Sequence, residues 1–205
     1  MTITPILILR FFKLNTNATS FIIFFFGIVN SSIGQSARDT SILTNLTKVD
    51  LGPQGLGFTF EQRLTNKLSV DLSSGIGGGY NVSEDYIEYI LNVFHPAFYF
   101  SATPKFYYDR NKRIEDGKQS NYNSGNYIGA RVKYITSGIA SKDRMRNSML
   151  INLHWGMQRA VGLRWTINTH IGAGYAQDLN YKFGTVYPSA EIKFSYILST
   201  GRIDK

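Results

Sequence analysis

The feature that most constrains the fold is the strict alternation of apolar and polar residues towards the end of the chain. In residues 189–198 every second side chain is apolar, and those between are polar or charged as far as Ser195. The same alternation runs through residues 163–175 and, with one exception, through residues 149–157. Because successive side chains of a β-strand point to opposite faces, each segment is predicted to form a strand with one apolar face.

Five earlier segments repeat this pattern less cleanly, and the first of them is the weakest. They lie at residues 42–51, 56–63, 68–77, 98–108 and 128–134. The total of eight is even, as in bacterial outer-membrane barrels. The predicted fold class is therefore all-β, an antiparallel up-and-down transmembrane β-barrel occupying residues 41–198, followed by a C-terminal tail at 199–205.

A soluble β-sandwich is the alternative, since its strands also alternate. Two features favour the barrel: the apolar face carries bulky aromatic residues near strand ends, and the other face mixes small residues with isolated charges, as a narrow lumen requires. The predicted aromatic girdle consists of Phe106, Tyr108, Trp155, Trp165, Tyr175 and Tyr196. A mean hydropathy of −0.15 excludes a membrane protein built of several helices.

The N-terminal region differs from the rest of the chain. Two positive charges precede an apolar run at residues 21–29, and small residues follow at Ser32 and Gly34. This arrangement predicts a signal peptide at residues 1–34, cleaved before a short N-terminal segment at 35–40. A membrane anchor is the alternative, but the apolar run is far shorter than the roughly twenty residues that a spanning helix needs.

The predicted connections fall into two sets, one for each end of the barrel. With both termini in the periplasm, the extracellular set comprises residues 52–55, 81–95, 138–148 and 176–183. The periplasmic set comprises residues 64–67, 109–125 and 159–162. The long, charged connection 109–125 departs from the short periplasmic turns typical of such barrels.

The net charge of +8 falls to +6 without residues 1–34, which contribute two positive charges and no negative ones. Export argues against a nucleic acid as partner, whereas the phosphates of lipopolysaccharide and the outer-membrane lipid are available. Possible lipopolysaccharide contacts are Lys142, Arg144 and Arg146, although such a cluster is also typical of a solvated turn. With no cysteine and three histidines, neither a zinc site nor a cofactor is predicted.

Charged residues on the polar face are predicted to lie in the lumen. Because a barrel of eight strands is barely wide enough for its own side chains, we expect a structural ion-pair network rather than a conducting path. The predicted members are Glu61, Arg63, Asp71, Lys105, Arg131, Lys133, Arg164, Glu191 and Lys193.

His154 and His170 raise the possibility of a hydrolase. Barrel enzymes that deacylate lipid place a serine two residues after the histidine, on the same strand face. Here Gly156 and Gly172 occupy those positions. The prediction is therefore that the protein is not an enzyme.

Two stretches carry a resemblance to a known family. Phe58-Thr-Phe-Glu-Gln-Arg-Leu-Thr-Asn-Lys67 precedes an alternating strand, and Asn123-Ser-Gly-Asn-Tyr-Ile-Gly129 enters another. The chain resembles the small eight-stranded outer-membrane barrels, similar to outer-membrane proteins A and X and to the "outer membrane protein beta-barrel domain" kind.

This resemblance implies an outer-membrane location in a Gram-negative bacterium and assembly by the barrel-assembly machinery. It also implies a non-enzymatic structural or surface-interaction role. A small porin-like or transport channel is the alternative, and a lipid-modifying barrel enzyme is a third.

Overall fold

The computed structural model describes residues 42–138 and 145–201, together with the backbone of residues 6–12. Its strands are β1 (Ile6–Phe12), β2 (Leu46–Gly52), β3 (Gly55–Arg63), β4 (Leu68–Gly77), β5 (Gly79–Val82), β6 (Tyr86–Asn92), β7 (Ala97–Tyr107), β8 (Gly125–Ile135), β9 (Ser148–Val161), β10 (Trp165–Asp178) and β11 (Gly184–Thr200). The helices are α1 (Arg110–Glu115) and a 3₁₀ turn at Asn121–Asn123. No helix in these ranges is long and apolar enough to cross a membrane.

Eight of the strands close into a single barrel, which confirms the predicted antiparallel architecture. The order β2-β3-β4-β7-β8-β9-β10-β11 follows the chain, and β11 returns to pair with β2. At this closing seam Phe194 pairs with Leu51, and the ladder continues to Thr200 opposite Leu46. A closed barrel leaves no unpaired edge in its own sheet.

The two faces of the barrel strands follow the predicted alternation. The outer face carries large apolar side chains such as Phe100 and Leu153, which are 55% and 63% exposed. The inner face carries buried charged residues, among them Glu61 at 0%. Among the eight barrel strands, all of them in the described part of the chain, only Arg159 places a charge on the outer face. The outer surface of the barrel is therefore almost uncharged, and most of its side chains are apolar.

The two ends of the barrel are built differently. One end, which we call the hairpin end, carries β5 and β6, a pair of antiparallel strands that begins at Gly79 and continues into the connection predicted as a loop at 81–95. The opposite end, the helix end, carries α1 and the 3₁₀ turn within the long connection 109–125. That connection is thus partly helical, which accounts for its length.

Strand β1 pairs antiparallel with β6, with Ile6 opposite Asn92 and Phe12 opposite Tyr86. These residues belong to the predicted signal peptide, whose cleavage site at residues 34–35 lies outside the described residues. The signal peptide stays a prediction. If residues 1–34 were removed, β6 would lose one of its two neighbours.

Candidate functional site

The centre of the lumen is a chain of buried ion pairs contributed by four adjacent strands. Lys48 Nζ on β2 lies 2.7 Å from Glu61 Oε2 on β3 and 3.7 Å from Asp71 Oδ2 on β4. Lys105 Nζ on β7 lies 2.6 Å from the same Asp71 oxygen. All four side chains are at most 3% exposed. Charges buried this deeply are tolerated when each has a close opposite charge and further hydrogen bonds.

Polar neighbours complete the hydrogen bonding of Glu61. Its Oε1 accepts from the hydroxyls of Ser69 and Tyr107, each at 3.1 Å. Its Oε2 accepts from Gln158 Nε2 at 3.2 Å, and Gln158 Oε1 in turn accepts from Lys105 Nζ at 3.2 Å. Gln158 lies on β9, so this network crosses the whole width of the lumen.

A second group of ion pairs lies towards the closing seam. Lys193 Nζ on β11 is 2.9 Å from Asp50 Oδ2 on β2, and Asp50 also accepts a hydrogen bond from Thr59. Arg131 on β8 forms an ion pair with Glu191 on β11. The first pair crosses the seam itself, whereas the second links β8 to β11 through the lumen.

Lys133 is held by different chemistry. Its Nζ donates to Gln54 Oε1 at 2.6 Å and lies 4.8 Å from the centre of the Tyr99 ring. Gln54 Nε2 donates to the carbonyl of Gly78 at 2.7 Å, just before β5. The cation is thus stabilised by an amide oxygen and an aromatic ring, and it ties the lumen to the hairpin end.

The two predicted histidines lie against each other in the lumen, with ring centres 4.2 Å apart and ring planes tilted by 32°. His170 Nε2 lies 3.3 Å from Ser189 Oγ on the neighbouring strand β11. The sequence prediction considered only the strand of the histidine itself and therefore missed this serine. However, Glu191 lies 3.9 Å from that same nitrogen, and His170 Nδ1 faces Arg131 at 3.5 Å. In a catalytic triad the acid holds the opposite nitrogen of the histidine, so this geometry does not activate the serine.

Seven of the nine residues predicted for the lumen network lie in it or at its margin, and two do not. Arg63 is at the helix-end terminus of β3, where its guanidinium donates to Asn66 at 2.6 Å. Arg164 is exposed in the turn between β9 and β10. The prediction is wrong for both arginines. The alternation identifies the face of the strand on which a residue lies but not its distance from the end of the barrel, and both arginines lie where water reaches them.

The prediction missed two central members of the network, Lys48 and Asp50. Both lie on β2, the strand with the weakest alternation. The signal was nevertheless present, because the two charges are two residues apart and therefore share a face.

Little space is left among these side chains. An internal cavity of about 20 Å³ is lined by residues that include Asp71, Arg131 and Lys193. A volume of this size holds about one water molecule. The lumen is accordingly a filled polar core.

The hairpin end is closed by apolar packing. Val82, Ile87 and Ile90 of the β5–β6 hairpin pack against inward side chains of the barrel rim, including Leu150 and Tyr187. The hairpin thus crosses the opening of the barrel.

The β5–β6 hairpin is also held to the connection between β2 and β3 by Tyr89, whose hydroxyl donates a hydrogen bond to the carbonyl of Pro53. Burial raises the pKa of Tyr89 to about 12, so the hydroxyl keeps its proton at neutral pH.

The helix end is closed by a smaller cluster. Leu43, Tyr107 and Tyr127 are fully buried together, with the two tyrosine rings 5.5 Å apart. Arg110 of α1 is 1% exposed and donates to the carbonyls of Ser124 and Ile42. The helical connection therefore seals this end.

Comparisons with protein-family models, with curated proteins and with solved structures each found no match. Within the described ranges there is also no group of three or more histidine, aspartate or glutamate side chains that could hold a metal ion.

The predicted girdle residues lie on the outer surface of the barrel, and Arg146 lies at the hairpin end. Exposed girdle residues are Phe106, Tyr108, Trp165 and Tyr175. Trp155 Nε1 donates to the Tyr108 hydroxyl at 2.6 Å, and the Trp165 ring packs edge-on against Tyr196. Of the predicted lipopolysaccharide contacts, Lys142 and Arg144 lie outside the described residues. Arg146 pairs with Asp178 at 3.3 Å and stacks on the Tyr181 ring.

Proposed function

We propose that this protein is exported by a cleaved signal peptide and resides in the outer membrane of a Gram-negative bacterium as a closed, non-enzymatic barrel. Its role would be structural or that of a surface anchor for interactions. The apolar outer surface supports a membrane location, because exposing so many large apolar side chains, such as Leu153 and Phe100, to water is strongly unfavourable. A closed barrel also satisfies its backbone hydrogen bonds without water, as a lipid environment requires.

The observation that carries the proposal is that the lumen is filled and closed at both ends. Buried ion pairs occupy the centre, and the cavity among them has a volume of about 20 Å³. Apolar clusters cover each opening. An ion crossing the barrel would have to displace several mutually bonded side chains, so the arrangement favours an anchor over a channel.

The orientation proposed here places the hairpin end outside the cell. Strand β2 begins and strand β11 finishes at the helix end, as expected if both barrel termini face the periplasm. The lipopolysaccharide leaflet would then lie near Arg146, and Lys142 and Arg144 would be further contacts with its phosphates.

Cysteine labelling tests this orientation, since the native chain has no cysteine. Lys182 and Lys118 are exposed at the hairpin end and the helix end. In intact cells, a membrane-impermeant maleimide should label Lys182→Cys, whereas Lys118→Cys should react only after lysis. The opposite pattern would invert the topology, and labelling of both in intact cells would contradict membrane insertion.

Conductance in planar bilayers tests the function. The processed protein, checked for folding by its altered gel mobility before boiling, should give no current steps at any applied voltage. Current steps that depend on the folded form and vanish after boiling would favour the channel instead. A sample whose mobility is unchanged by boiling would count against the stable barrel itself.

A further inference from the structure

One edge of strand β6 pairs with β1, which belongs to the predicted signal peptide. On one side β6 pairs with β5, from Gly79 opposite Ile90 to Val82 opposite Ile87. On the other side β6 pairs with β1 over its full length of seven residues. This edge therefore accepts an extended antiparallel segment along its whole length.

Removal of residues 1–34 would take β1 away, so the present argument rests on the cleavage proposed above. The edge of β6 would then present a row of backbone N–H and C=O groups without strand partners. Such an edge is a ready template for another extended chain. In this respect it differs from the barrel strands, whose edges are consumed by closure.

The edge is held in place before any partner arrives. Ile87 and Ile90 are anchored in the apolar cluster at the barrel rim, and the Tyr89 hydroxyl is bonded to Pro53. Because the strand is already fixed, a partner would have to order only its own chain. A pre-organised site lowers the entropic cost of binding.

The segment seated on the edge indicates which chemistry fits there. Residues 6–12 read Ile-Leu-Ile-Leu-Arg-Phe-Phe, and their single charge, Arg10, lies opposite Glu88 in the register. Glu88 is 0% exposed, and its Oε2 accepts a hydrogen bond from Asn81 at 3.2 Å. A basic residue at this register position complements the buried carboxylate.

We propose that in the processed protein the edge of β6 is a docking site for a partner protein. The partner would contribute an extended, antiparallel and predominantly apolar strand with one basic residue opposite Glu88. Main-chain hydrogen bonds would supply the affinity, and the basic residue would fix the register.

The test uses a fluorescent peptide with the sequence of residues 6–12, flanked by lysines for solubility, as the probe. Processed protein purified from outer-membrane fractions should bind it and slow hydrogen exchange at residues 86–92. The full-length chain is the matched control, since its own β1 occupies the edge, and it should not bind. A peptide with proline at two successive central positions should bind at least about tenfold more weakly, because it loses hydrogen bonds of the β-ladder.

The variant Glu88→Gln distinguishes recognition of the basic residue from non-specific apolar binding. It should remove the preference for arginine over glutamine at the peptide position that corresponds to Arg10, while leaving backbone-driven protection of residues 86–92. Equal binding of the proline peptide, or equal binding by the full-length chain, would overturn the proposal.

Two further outcomes separate this proposal from the proposed function. An intact mass showing residues 1–34 still attached in the membrane protein would overturn the docking site while leaving the closed barrel standing. Current steps from the folded protein would overturn the anchor, yet peptide protection confined to residues 86–92 would still support the edge.

Discussion

The buried pair of Lys48 and Glu61 provides the sharpest test of the filled lumen. Lys48→Met keeps the approximate length of the side chain but removes its charge. Glu61 would then retain its hydroxyl and amide donors and lose the cation 2.7 Å away. The nearest other lysine of this group, Lys105, is already paired with Asp71.

The expected cost follows from the burial of both partners, at 1% and 0% exposure. Removing one member of a buried pair typically costs about 3–5 kcal/mol, and because Glu61 keeps its other donors, the expected cost here is about 3 kcal/mol. The double variant Lys48→Met/Glu61→Gln leaves neither charge uncompensated. It should cost about 1–2 kcal/mol. The single variant Glu61→Gln, which leaves Lys48 with Asp71 at 3.7 Å as its ion-pair partner, should cost at least about 1 kcal/mol, so that the two sites show a coupling energy of at least about 2 kcal/mol.

The assay is urea unfolding of the barrel in phospholipid vesicles, followed by tryptophan fluorescence. Lys118→Met is the matched control, since Lys118 Nζ lies 2.8 Å from Asp116 with side chains 57% and 38% exposed. Loss of such an exposed pair should cost less than about 0.5 kcal/mol. Additive single variants, or a Lys48→Met cost no larger than that of the control, would refute the buried network.

Two further predictions concern packing and the hairpin. Gly156→Val should destabilise the barrel by about 1–3 kcal/mol, because its new side chain would overlap the Tyr127 ring; unchanged urea midpoints would show that the lumen is looser than described. Tyr89→Phe removes a hydrogen bond worth about 1 kcal/mol, so amides of the β5–β6 hairpin should exchange about fivefold faster. The barrel amides should keep their rates, and an effect spread over the whole barrel would instead indicate that the hairpin is part of its folding unit.

The barrel strands could be predicted because each has one apolar and one polar face, which gives a period of two. The weak prediction for β2 has a physical cause. Leu46, the first residue of β2, and Leu43, which precedes the strand, are both fully buried, and Leu43 packs in the apolar cluster at the helix end. Buried leucines blur the alternation, and Lys48 and Asp50 were missed with it.

The β5–β6 hairpin was not predicted because β6 is covered on both faces. Most of β6 is buried, including Glu88 on one face and Tyr89 on the other, so its sequence does not alternate. Helix α1 spans only six residues, too few for a helical period to appear. Periodicity therefore identifies elements that separate two environments, and it fails for those that are covered on both sides or are very short.

The charged network also explains how such a barrel reaches a single closed register. The seam between β11 and β2 is shorter than the ladder between β10 and β11, and it contains an irregularity between Ile197 and Ser199. Backbone pairing alone therefore specifies this seam weakly. A slip by one residue would turn Asp50 from the lumen to the apolar outer surface and separate it from Lys193, 2.9 Å away across the seam. Because an unpaired charge on that surface is costly, the ion pair favours one register where the hydrogen-bond ladder is least able to do so.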